Sequence, residues 1–141
     1  MKTLKTYTVF KKEQQKKFEA LPIQYFLNES IEVICEKMAV DSPKDLFKIA
    51  GFGVMKKSDK YLLNNYLSDK QEEFQKLMQS DEFALNAFKY ELANHEFVIT
   101  YDYEDALDAL ELKYSELDSR LLNLLKKAKE QYLKEFNEYS Y

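Results

Sequence analysis

Two glycines and two prolines are all the backbone breakers that 141 residues contain. So few turn-formers leave little room for the many tight reversals of an all-β sandwich, and they favour long helices. Apolar residues make up 45% and charged residues 33% of the chain, as in folded soluble proteins and unlike disordered ones. The length is that of one domain, so residues 1–141 are expected to form a single domain with a real core.

Helical spacing and cap residues divide the chain. Thr8 or a neighbour caps a first helix through KKEQQKKFEAL, with Phe10, Phe18 and Leu21 near one face, and Pro22 interrupts it. IQYFLN reads as a short strand, with a second helix beginning at Pro22 as the alternative. ESIEVICEKM carries Ile31, Ile34, Cys35 and Met38 at helical spacing. LFKIAGFGVMKK is β-prone and holds both glycines, which in a strand pattern mark a bulge, a bend or a close backbone approach. Ser58 or Asp59 opens a long helix, and Ser80-Asp81 breaks it and caps the next, EFALNAFKYELAN, which buries Phe83, Ala84, Ala87, Phe88 and Leu92 and ends near Asn94. FVITY is a short strand, Asp102 caps YEDALDALEL, and Ser115 caps a final helix with a leucine-rich stripe. The expected fold class is α+β and predominantly helical, with about five to six helices and a small two- or three-stranded sheet.

One cysteine, Cys35, permits no internal disulfide and suits a reducing compartment. No apolar run has the length of a signal peptide or of a membrane span, so a cytoplasmic protein is expected.

Several chemistries lack their residues. AGFG has no following Gly-Lys-Ser/Thr and is no phosphate loop. There is no nucleophile elbow, and Cys35 sits on an apolar helical stripe as a small hydrophobe. His95, the only histidine, lies four residues after Glu91 in ELANHEF. That pair on one helix face is compatible with metal or acid–base work. Zinc, however, wants three or four ligands, and the zinc-protease spacing is absent. A histidine in a last helical turn is favoured by the dipole and by exposed carbonyls, so a structural helix-end role is the simpler reading. No cofactor, metal or catalytic residue is expected.

Charge is the feature with functional content. Residues 1–60 balance at +4 and residues 61–141 at −8, and residues 81–118 hold eleven acids against Lys89 and Lys113. Basic clusters such as KKEQQKK are interrupted by acids, and arginine occurs once, which is unlike a nucleic-acid reader. Asp102, Glu104, Asp105 and Asp108 have helical rather than calcium-loop spacing. They form either a solvated helix face or a surface of carboxylates standing where phosphates would. Eleven tyrosines with ten phenylalanines and no tryptophan suit a protein interface, although A/T-rich codon usage supplies the same residues.

ALPIQYFLNE (20–29), DLFKIAGFGVMKKSD (45–59) and FKYELANHEFVITYDYEDALDALEL (88–112) together resemble small, functionally uncharacterised phage and prophage proteins of low-GC Gram-positive bacteria. The similarity runs over most of the chain in order, and ELANHEFVITYD with the leucine-alanine helix after it is its most specific element. That resemblance implies a mobile element in a bacterial cytosol and, by analogy, a stoichiometric inhibitor such as an anti-CRISPR protein. The function expected is non-enzymatic: blocking a host defence nuclease, of the Cas9 type, whose nucleic-acid channel is basic. The partner-binding residues expected are Glu91, Glu96, Tyr101, Asp102, Tyr103, Glu104, Asp105 and Asp108, with no direct nucleic-acid or membrane contact. Two alternatives stand beside it: a metal-assisted hydrolase centred on His95, and a self-associating phage accessory protein whose dimer seam is 116–138.

Overall fold

A computed structural model describes residues 5–25, 29–49, 53–95, 97 and 102–139, with side chains as far as 136. Among these residues are six α-helices and three short strands: α1 (Tyr7–Glu19), β1 (Gln24–Tyr25), α2 (Ile31–Met38), β2 (Leu46–Ile49), β3 (Gly53–Lys56), α3 (Lys60–Leu77), α4 (Asp81–Asn94), α5 (Glu104–Ala109) and α6 (Ser119–Tyr139). The predominantly helical α+β class follows, as the scarcity of breakers requires. The chain divides into two compact units, Met1–Lys11 with Phe74–Tyr141, and Lys12–Glu73.

The unit Lys12–Glu73 contains the sheet, in the order β1-β3-β2 with both pairings antiparallel. Within the apolar run, residues 46–49 and 53–56 are therefore two paired strands, with Leu46 opposite Lys56 and Ile49 opposite Gly53. At Gly53 the neighbouring chain passes close: a Cβ there would lie 2.7 Å from Ile23 Cγ2 and 3.3 Å from the Gln24 carbonyl oxygen. Helix α2 starts at Ser30, whose side chain accepts from the Val33 amide, and stops at Ala39, held left-handed at φ 56°. Its buried Ile34, Cys35 and Met38 pack with Leu46 and Val54 into a small core. We predict that Gly53→Ala costs about 1–3 kcal/mol through overpacking, because a branched side chain and a backbone carbonyl confront the new methyl. Urea unfolding followed by circular dichroism checks this, and an unchanged midpoint contradicts it.

The other unit is built around α4. Ser80 accepts from the Phe83 amide at 3.3 Å, and Asp81 and Glu82 occupy the first turn. Phe83, Ala84, Ala87, Phe88 and Leu92 are buried as the spacing predicts. They join Leu107 of α5 and Leu125 and Ala128 of α6 in one core. Phe10 adds an aromatic layer, its ring 5.8 Å from Phe74 and 6.1 Å from Phe83 between centroids. The single arginine, Arg120, ties the start of α6 to that of α4, donating to Asp81 Oδ1 at 2.7 Å and to the Met78 carbonyl at 2.6 Å.

Two helix ends fall near their expected places and one does not. The first helix is capped by Thr6, which accepts from the Val9 amide. Helix α4 ends at Asn94, as expected, and His95 takes the capping position. The last helix is capped by Asp118, whose Oδ1 accepts from the Leu121 amide at 2.8 Å, rather than by Ser115. Ser115 is instead part of a short 3-10 turn, Tyr114–Glu116, and Leu117 then runs extended and buried before α6 begins. Of the expected strand FVITY, residues 98–101 lie outside the described residues, and Phe97 is helical and buried.

Candidate functional site: a tyrosine-lined acidic groove

Asp102 precedes α5, and its Oδ1 accepts from the Glu104 amide at 2.9 Å. This bond fixes the first turn of a helix only six residues long. The helix stops where Glu111 turns left-handed at φ 58°, and the Leu112 amide returns to the Leu107 carbonyl at 2.9 Å. That reversal sends Leu112, Lys113 and Tyr114 back beside α5. Between them opens a groove of about 720 Å³, with Leu107 and Leu112 among its apolar residues and Asp102, Glu104, Asp108 and Lys113 among its polar ones. Three rings stack at its side. Phe97 and Tyr103 lie 4.9 Å apart and inclined by 21°, and Tyr103 and Tyr114 lie 6.0 Å apart and inclined by 17°. Phe97 is buried, Tyr103 half-buried and Tyr114 57% exposed, so the stack leads from core to solvent.

Four of the residues expected to bind a partner, Asp102, Tyr103, Glu104 and Asp108, thus line one groove. Asp105 is exposed on α5 but does not line it. Glu96 and Tyr101 lie outside the described residues. Tyr114 and Lys113 were not expected, and nothing in their spacing marks them; the chain reversal after α5 brings them in.

Glu91 is placed differently from expectation. It is fully buried on the core side of α4. An isolated carboxylate there would be prohibitively desolvated, and two groups from α1 compensate it. The Lys11 ammonium lies 3.2 Å from Oε1 and also sits over the Tyr90 ring, 4.9 Å from its centroid. The Tyr7 phenol, itself buried, lies beside the carboxylate. Glu91 therefore holds the first residues of α1, Tyr7 to Lys11, against α4 and presents no charge to the surface. His95 donates its backbone N–H to the Glu91 carbonyl at 3.0 Å, closing the helix, and its Nε2 is 3.8 Å from Glu91 Oε2. Among the described residues, no group of three or more His, Cys, Asp or Glu is arranged to hold a metal ion.

The Tyr7 phenol is pushed well above its ordinary value, first by burial, then by the adjacent Glu91 charge and by Tyr90. The sign of the pH effect follows from linkage: the unfolded phenol releases its proton near pH 10 while the folded one retains it. The stability this contributes is present below about pH 10 and is lost as pH rises beyond it. We expect the urea midpoint to fall more steeply above pH 10 in the native chain than in Tyr7→Phe. Parallel curves contradict this placement of Tyr7.

No helix among the described residues is long and apolar enough to cross a membrane. Neither a curated protein nor a solved structure matches the chain. A model for a family of unknown function, DUF7659, matches residues 6–131, which takes in α1 through most of α6 and the whole of the groove. The chain belongs to the DUF7659 family.

Proposed function

We propose that this protein is a stoichiometric, non-catalytic binder that occupies a basic nucleic-acid channel of a bacterial defence nuclease, of the Cas9 type. In this reading it is encoded by a phage or prophage and acts in the cytoplasm of the host. The observation that carries the proposal is the convergence of Asp102, Glu104 and Asp108 with Tyr103 and Tyr114 on one open groove. Carboxylates on a rigid turn present negative charge as a phosphate backbone does, and channels built to hold nucleic acid are lined by lysine and arginine. Partly exposed tyrosines add large contact area with few rotamers to freeze, which suits anchors at an interface. The excess of acid in residues 81–118 extends the same field around the groove and speeds encounter with a cationic partner. With Glu91 in the core, the contact surface among the described residues is 102–108 and 113–114.

Affinity purification of a tagged chain from the native host at low salt, read by mass spectrometry, tests the proposal. A nucleic-acid enzyme recovered in stoichiometric amount is the expected result. Recovery without any such enzyme counts against it.

A further inference from the structure

We infer that the groove beside α5 reads arginine: it takes a guanidinium from a protein partner against the outer face of Tyr114, with a groove carboxylate closing on the guanidinium's edge. The inference rests on the binding role proposed above and names the side chain recognised.

The aromatic stack ends at a ring that is 57% exposed. Phe97, Tyr103 and Tyr114 are near-parallel, and the ladder has a buried end and an open end. A flat group can add to the open end without moving anything already packed. Of the groove's charged residues, Asp102, Glu104 and Asp108 are acidic and Lys113 is basic, so a cation is favoured there and a phosphate is repelled. A planar cation meets both demands. Guanidinium is weakly hydrated, stacks on aromatic faces and offers paired N–H groups to a carboxylate. An ammonium is a compact, strongly hydrated point charge that gains from the carboxylates and little from the ring. The groove is open and about 720 Å³ in volume, room for a side chain delivered by a folded surface or an extended segment.

Two peptides of identical Gly-Ser background, one bearing arginines and the other lysines at the same positions, test this. They are titrated into the full chain at low salt, with the ring signals of Tyr103 and Tyr114 followed by NMR. The arginine peptide is expected to bind about tenfold more tightly than the lysine peptide and to shift both rings. In Tyr114→Leu, shown folded by circular dichroism, the ratio is expected to fall close to one. Asp108→Asn is expected to weaken both peptides. Equal affinity for the two peptides, an arginine preference that survives Tyr114→Leu, or no shift of either ring overturns the inference. A chain that captures a nuclease in the host yet treats the peptides alike loses this inference and keeps the proposed function. One that prefers arginine but captures no nuclease keeps the inference and loses that function.

Discussion

Exchanging Lys11 for methionine is expected to destabilise the protein by about 3 kcal/mol, far more than its position on a partly exposed helix face suggests. The Lys11 side chain is 41% exposed, and an ordinary surface ion pair contributes about 1 kcal/mol or less. Its partner is what differs. The Glu91 side chain is 1% exposed, and without Lys11 its buried charge loses its lysine partner. Breaking such a pair costs about 3–5 kcal/mol, and the partial exposure of Lys11 places this case at the lower end. The double exchange Lys11→Met with Glu91→Met removes the orphaned charge and is expected to recover most of the loss. Urea unfolding of the native chain, the single variant and the double variant measures all three. A Lys11→Met effect below 0.5 kcal/mol, on the order of an ordinary surface substitution, contradicts the placement of Glu91.

Elements with a local signal were legible in the sequence. Ser80 followed by two acids and an apolar run announced α4 and its buried face, because cap, dipole and period all point the same way there. Ser30 and the spacing of Ile34, Cys35 and Met38 did the same for α2. The start of α6 was misplaced because Ser115 and Asp118 are equally good caps in isolation. The choice between them falls to Leu117, which buries its side chain in extended conformation and delays the helix. Glu91 was misread for a related reason. The positions Ala84, Ala87, Phe88, Glu91 and Leu92 all lie on the buried stripe, yet its charge argued for the surface. The cation that makes burial tolerable is eighty residues away in the chain, at Lys11. The groove was half legible. Its acids stand together in the sequence, whereas Tyr114 reaches them only through the reversal at Glu111, a non-glycine residue held left-handed with no local signature.

Reversing the groove's charge is expected to have the largest effect on function. Asp102, Glu104 and Asp108 are exposed, and of these three Asp102 caps the first turn of α5. The combined exchange Asp102→Asn, Glu104→Lys, Asp108→Lys keeps a side-chain acceptor at the cap and turns the surface cationic. It is expected to change stability little, because surface substitutions seldom exceed about 0.5 kcal/mol each. Like charges set against one another in an interface cost several kcal/mol, so affinity for a basic channel is expected to fall by roughly a hundredfold or more. The same field governs encounter, so raising salt is expected to slow association of the native chain and to affect the variant far less.

The most direct measurement is therefore a titration of the purified chain against a guide-loaded Cas9-type nuclease from the host, reading its binding of target DNA. DNA binding is expected to be lost at equimolar protein and to persist in the presence of the charge-reversed, folded variant. DNA binding that withstands a molar excess of the native chain, or that the native and reversed chains suppress equally, would contradict the proposed function.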